Sequence, residues 1–231
     1  MIEEPPLLTV TKDRRRPTEA QIAAFRGVPT GFVCDAMDGS GALDAAISPI
    51  GDGRDIDCVV AGPALTADNR PSDLLATLAA LHYITPGDVL VGGASGHQGC
   101  AAAGDRVMGM LKNRGGAGFV TDGPLRDYAG IVKVGLPAWC TGLTPNSPFA
   151  KGPGSVGGEV TLGGRLVRTG DMIVADRDGV VVVPFERIDA VIARLAHVSE
   201  LEHALDADVE KGFCDPLEIT EMIADKRLVE I

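Results

Sequence analysis

The sequence is short of aromatic residues, of cysteines at useful spacings and of positive charge, and each shortage excludes a class of protein. Phe, Trp and Tyr make up 4% of 231 residues, so a core has to come from Ala, Val, Leu and Ile. Five cysteines, Cys34, Cys58, Cys100, Cys140 and Cys214, are odd in number and scattered. No CxxC or Cys/His spacing marks a zinc site, and a chain of this length needs no disulfide staples. Reduced thiols in a cytoplasm are the expectation. The formal net charge of −11 repels polyphosphates and argues against nucleic-acid and anionic-membrane partners. The one basic run, Lys12-Asp13-Arg14-Arg15-Arg16, reads as solvated. No stretch approaches the ~20 apolar residues of a membrane span. The opening MIEEPPLLTV has acidic residues where a secretion signal has basic ones.

What is plentiful is glycine (30) and proline (15), as in a compact fold with many tight turns. Residues 1–17 read as an extended segment. Helices are predicted over Thr18–Arg26, where a Thr cap precedes apolar positions at helical spacing, and over residues 31–39. Asp57–Thr66 reads as a strand interrupted by Gly62-Pro63, and Ser72–Leu81 as an amphipathic helix capped by Ser72. A strand over Asp88–Ala94, a helix over Asp105–Asn113 and strands over Ala117–Thr121 and Val134–Thr141 follow. Glu159–Pro184 reads as strands separated by turns at Gly163-Gly164, Gly170-Asp171 and Asp178-Gly179. A long helix from Arg187 to about Leu205 and a further one in the tail from Pro216 complete the chain. No linker or repeat breaks it. The expectation is one α/β domain over residues 1–231, a mixed-sheet sandwich with C-terminal helices.

Two places could carry chemistry. Residues 152–157 satisfy GxGxxG, but that motif needs a strand before it and a helix after it. Here a loop-like stretch precedes and a strand follows, so nucleotide binding is set aside. The second place is Gly92–Asp127, with a glycine-rich strand exit, Gly104-Asp105 opening a helix, and Thr121-Asp122-Gly123 followed by Arg126-Asp127. Ligand sites in open α/β sheets collect at the carboxyl ends of strands. A helix start offers free N–H groups to an anion. Arg126 offers a planar charged fork for a carboxylate or a developing enolate. Asp127 is a hard oxygen ligand suited to Mg²⁺ or Mn²⁺. Plainer readings stand beside these: Asp105 as a helix cap, Arg126-Asp127 as a surface ion pair, Asp122-Gly123 as a turn. His97, in SGHQG, is a candidate pocket residue or a loop hydrogen-bonding group. No lysine lies in an apolar pattern suited to Schiff-base chemistry.

Asp105, 20 intervening residues and then Arg126-Asp127 match the D-x20-R-D signature of the class II pyruvate aldolases of the 4-hydroxy-4-methyl-2-oxoglutarate aldolase type. KNRGGAGFVTDGPLRD, SPFAKGPGSVGGEV, TGDMIVADRDGVVVVP and HVSELEHALDADVEKG also look like this family, so the resemblance runs from about Gly31 onward. The family includes the regulators of ribonuclease E activity, and some members carry a menaquinone-methyltransferase label. The resemblance implies a swivelling β/β/α-type α/β domain, forming homotrimers or hexamers with sites between subunits. It implies that Asp127 holds Mg²⁺ or Mn²⁺, that Arg126 binds a 2-oxo acid and stabilises the pyruvate enolate, and that Asp105 orders water. Backbone amides around Gly104, Asp105, Arg106 and Val107 would receive the carboxylate. A glutamate on the late helix, Glu202 or else Glu200, would reach the site from a neighbour. The implied activities are retro-aldol cleavage of a 4-hydroxy-2-oxo dicarboxylic acid and oxaloacetate decarboxylation. The alternatives are a ribonuclease regulator acting by protein contact, a methyltransferase, or a lyase for another 2-oxo acid. The regulators lose the acid after the arginine, and here it is present. Asp176-Arg177-Asp178-Gly179 departs from the family's pattern and reads as a turn.

Overall fold

A computed structural model describes residues 6–214, 217–228 and 231; residues 1–5 of the expected N-terminal segment and Pro216, where the tail helix was expected to start, lie outside them. Four parallel strands form the centre of a mixed α/β fold: β3 (Val60–Asp68), β4 (Val89–Gly93), β5 (Gly118–Thr121) and β6 (Ala138–Cys140). They are joined through α3 (Leu75–Tyr83), α4 (Asp105–Asn113) and α5 (Tyr128–Val134), three successive strand–helix–strand units. The two-residue strand β2 (Ser48–Pro49) closes one edge on β6, and β1 (Leu8–Val10) pairs with β7 (Gly154–Val156) at the other. A hairpin of β8 (Glu159–Leu162) and β9 (Arg165–Arg168) forms a separate two-stranded sheet.

The second hairpin, β10 (Met172–Ala175) and β11 (Val180–Val183), joins the main sheet through β3. Its Val-Val-Val-Val strand has no polar alternation because both faces are buried. Val180 and Val182 face the core shared with the parallel strands, and Val181 and Val183 face a second core. That second core is covered by α1 (Glu19–Ala23), α2 (Thr30–Ala36) and the first half of α6 (Ile188–Glu210), through Ile22, Val33, Ala36, Ile188, Val191 and Leu195. The Asp176 carboxylate accepts Thr30 N at 2.9 Å and Thr30 Oγ1 at 2.8 Å. This makes the 176–179 turn the cap of α2 and accounts for its acidic start.

Several boundaries differ from the sequence reading. Strand β3 runs unbroken through Gly62-Pro63. Pro63 pairs with Met172 of β10, and pairing with β4 begins one residue later at Ala64. The missing N–H therefore falls where β3 changes partners. Helix α3 starts at Leu75, and Ser72 does not cap it: Ser72 sits in a left-handed conformation (φ 60°), while Asp73 Oδ1 accepts Leu75 N at 2.8 Å. Its face is not amphipathic either, since only His82 is exposed along its length. The strand expected over Val134–Thr141 is the end of α5 followed by the three-residue β6. Gly154–Val156, expected in a loop, is β7. A tail helix, α7 (Leu217–Ala224), is present. The basic run is not free in solvent. Arg14 donates to Tyr83 O, Arg15 pairs with Glu186, and Arg16 pairs with buried Asp88, strapping the segment to the body.

The five cysteines are unpaired. Burial pushes the Cys58 and Cys140 thiols up, which keeps both protonated at neutral pH. No helix among the described residues is long and apolar enough to cross a membrane.

Candidate active site

The carboxyl ends of β4 and β5 are tied together by one buried side chain. Asp122, just past β5, accepts Ala94 N at 2.6 Å through Oδ1 and Gly96 N at 2.7 Å through Oδ2. Two charge-assisted bonds to the glycine-rich exit of β4 make it more than a turn residue: it holds two loops in register. Beyond these loops the chain re-pairs through bridges between Ala103, Leu125 and Leu143. Those bridges bring the start of α4 against residues 126 and 127.

The cap of α4 is Gly104, and no side chain caps it; Asp105 is the first helical residue. The reading of Asp105 as the N-cap is therefore corrected. Met108 N is the first amide to bond back, to Gly104 O at 3.2 Å. The N–H groups of Asp105, Arg106 and Val107 are left outside the helical ladder, as at any helix start. Asp105 makes no hydrogen bond or ion pair among the described residues, and its carboxylate lies against α5: a Cβ on Gly130 would be 2.4 Å from Asp105 Oδ2. Gly104 is crowded in the same way, since a Cβ there would meet Asp127 Oδ2 at 2.7 Å and Arg126 Cγ at 3.0 Å. The small residues at 104 and 130 let α4, α5 and the Arg-Asp pair approach this closely.

Asp127 occupies the cap position of α5 and yet does not cap it. Its backbone is left-handed (φ 61°, ψ 44°), a region that Asp tolerates better than most residues. That conformation turns the carboxylate to Arg126, whose Nε is 3.2 Å from Asp127 Oδ2. Arg126 also donates to Ser147 Oγ. The ion pair expected of a surface dipeptide thus exists, and at 33% and 45% side-chain exposure it adds little stability. Backbone strain at an uncapped, half-exposed carboxylate points instead to a role in a site.

These groups line one cavity of about 120 Å³, bounded by Leu74, Ala103, Gly104, Asp105, Arg106, Val107, Arg126, Asp127, Ser147 and Pro148. Arg126, Asp127, Asp105, Gly104, Arg106 and Val107 are thereby brought together. His97 is not among the lining residues; its Nε2 lies 2.8 Å from Ser72 Oγ. Glu202 is half-buried on α6, which packs chiefly on α2, is not among the residues lining the cavity, and makes no hydrogen bond or ion pair among the described residues. Glu200 is exposed on the same helix. Sequence reasoning missed Leu74, Ala103, Ser147 and Pro148. Ser147 and Pro148 arrive from the loop SPFAKGPGSVGGEV, which resembles the family but gives no local hint that it reaches Arg126.

That loop is anchored by Asp73, whose Oδ2 accepts Lys151 N at 2.6 Å and Gly152 N at 3.1 Å while Oδ1 starts α3. Asp73→Ala strands three amides at a buried position, so a loss of roughly 2–4 kcal/mol in stability is expected. Urea unfolding monitored by circular dichroism checks it; an unchanged midpoint would remove Asp73 from this role.

The donor set suits an ion that keeps most of its own water. No three His, Cys, Asp or Glu side chains converge among the described residues. One uncapped carboxylate with a second, unpaired one in the same cavity is the arrangement Mg²⁺ or Mn²⁺ accepts, and it is a poor one for zinc.

The model of the RraA-like (Aldolase/RraA) family matches residues 30–182. A protein of Halalkalibacterium halodurans, provisionally named 4-hydroxy-4-methyl-2-oxoglutarate aldolase, is 40% identical over 71% of this chain and 76% of its own. A provisionally so named protein of Halorhodospira halophila is 32% identical over 67% of this chain and 94% of its own. Among solved structures, an uncharacterised protein of Pseudomonas syringae pv. tomato shares the fold, with a TM-score of 0.75 at 22% identity over 86% and 96% of the two chains. Streptomyces coelicolor RraAS2, described as an unusual member of the RNase ES inhibitor RraA family, gives 0.66 at 28% identity over 85% and 98%. Similarity of this extent in both sequence and fold leads to one conclusion: the chain belongs to the RraA-like, or aldolase/RraA, family.

Proposed function

We propose that this protein is a divalent-metal-assisted carbon–carbon lyase that releases pyruvate from a 4-hydroxy-2-oxo dicarboxylic acid such as 4-hydroxy-4-methyl-2-oxoglutarate, and that it also decarboxylates oxaloacetate. The observation that carries this reading is Asp127, a carboxylate held in a left-handed conformation, turned away from its helix end and set beside Arg126 at an open helix start.

Both reactions break a bond to the carbon next to a ketone and leave its electron pair there, to be drawn into an enolate. A bound Mg²⁺ or Mn²⁺ would act as a Lewis acid on the substrate's oxygens. Asp127 is the residue we assign to hold it. The free amides at Asp105, Arg106 and Val107 take the substrate's 1-carboxylate. Arg126, kept in place by Ser147, donates to the keto oxygen as negative charge grows there. Asp105 orients the water that removes the 4-hydroxyl proton as the C3–C4 bond breaks; the same proton can return to C3 to give pyruvate.

We assign a further carboxylate, Glu202 or Glu200, to the site of a neighbouring copy of this chain. The support is the second half of α6, which exposes Leu201, Leu205 and Val209 at helical spacing, an apolar stripe suited to burial in a homotrimer or hexamer.

The test is pyruvate release from 4-hydroxy-4-methyl-2-oxoglutarate and from oxaloacetate, with Mg²⁺ or Mn²⁺ and after EDTA. Release that needs the metal supports the reading, and release indifferent to EDTA removes the metal from it. Mixing Glu202→Ala with Arg126→Ala subunits should restore part of the activity if sites are shared; none in verified mixed oligomers contradicts the sharing.

A further inference from the structure

Arg126 has its partners within the chain, Asp127 and Ser147, whereas Arg106 has none among the described residues. Arg106 lines the same cavity, is exposed, and forms no hydrogen bond or ion pair among the described residues. Its place at the second residue of α4 is an unfavourable one for a cation, because the first turn carries the positive end of the helix dipole. Asp105 does not offset it. Consecutive helical residues do not face each other, and the Asp105 carboxylate is turned against Gly130 of α5. A cation set against the helix field, with no partner among the described residues, is an arrangement completed by an anion.

The cavity is also small. At about 120 Å³ it is well under the ~300–1,000 Å³ of ordinary ligand pockets, so it takes the reacting end of a substrate and leaves the other end at its rim. Leu74 and Pro148 supply apolar wall and no donors for a charged group there.

We propose that Arg106 is a specificity-determining residue whose guanidinium binds the substrate's second carboxylate, the one remote from the keto group, and so restricts the site to 2-oxo diacids. This rests on the lyase reading above and adds the residue that selects the substrate class. A site built to pair a charged group discriminates strongly against the analogue lacking it, because its own charge is then left without a partner.

The experiment compares wild type, Arg106→Ala and Arg106→Lys with Mg²⁺ on two substrates. One is the diacid 4-hydroxy-4-methyl-2-oxoglutarate; the other is 4-hydroxy-2-oxopentanoate, which has a single carboxylate. Calorimetric Kd values for 2-oxoglutarate and 2-oxobutyrate, which lack the 4-hydroxyl and cannot be cleaved, give a readout independent of turnover. Arg106→Ala should lose roughly 10–100-fold in kcat/KM on the diacid and in affinity for 2-oxoglutarate. The monoacids should shift by less than about twofold, and lysine should recover part of the loss. An equal loss on diacid and monoacid, or no loss on either, overturns the proposal. If wild type cleaves neither substrate, the lyase reading fails alone. A calorimetric preference for 2-oxoglutarate that vanishes in Arg106→Ala then still supports the diacid site, and its persistence overturns it.

Discussion

Asp127→Asn is expected to lower kcat/KM for pyruvate release by about 10³-fold or more, since a metal contributes several kcal/mol to a developing charge and each 1.36 kcal/mol is tenfold. Asparagine is the informative replacement because, like aspartate, it accepts the left-handed backbone found at this position (φ 61°), so α5 should still start where it does. The carboxylate makes no bond to the helix it precedes, and its ion pair with Arg126 is half-exposed. Thermal stability should therefore change by less than about 1 kcal/mol. The pairing of a large kinetic effect with a small stability effect is the signature. If Asp127→Asn unfolds the protein, or leaves pyruvate release near the wild-type rate, Asp127 is not the metal-holding group.

Arg126→Ala should cost about 10²–10³-fold, mostly in kcat, because a donor aimed at the growing enolate charge acts more strongly in the transition state than on the bound ketone. It also releases Ser147, so the loop 147–153 loses one of its ties while the Asp73 anchor remains. Arg126→Lys keeps the charge but not the fork that spans Ser147 and Asp127, and should fall between wild type and alanine. Steady-state kinetics on the same 4-hydroxy-2-oxo acid separates the cases. A rise in KM with kcat unchanged would make Arg126 a general binding group and not an enolate stabiliser.

The parts of the fold set by local chemistry were legible in the sequence. Helix α4 spans Asp105–Asn113 as its pattern predicts, and the turns at Gly163-Gly164 and Gly170-Asp171 separate strands where turn chemistry says they should. The failures have a common cause in long-range contacts. Tyr128–Val134 contains Ile131, Val132 and Val134, residues that favour strands, and its start is not marked by a capping side chain because Asp127 points elsewhere. Strand β7 exists only because β1 and β3, far off in sequence, flank it. Ser72 looks like a helix cap until Asp73, tied to residues 151 and 152, takes that place.

The candidate site divides in the same way. Spacing and placement at strand ends pointed to Asp105 and Arg126-Asp127, and the family signature gave them roles. The reasons they sit together are the close approaches at Gly104 and Gly130, which depend on how α4 and α5 pack and leave no local pattern in the sequence. Ser147 belongs to a loop joined to the corner through space alone, and Glu202, on α6, is not among the residues that line the cavity within one chain.

The most direct test of the central claim, that this corner stabilises a pyruvate enolate with help from a metal, leaves the natural substrate aside. Pyruvate in D₂O with the protein and Mg²⁺ should exchange its methyl protons for deuterium, followed as loss of the methyl signal by proton NMR. The expected result is exchange by wild type that stops with EDTA and falls to the rate of buffer and Mg²⁺ alone in Asp127→Asn and Arg126→Ala. Exchange by Asp127→Asn at the wild-type rate, or none by wild type above that background, would contradict it.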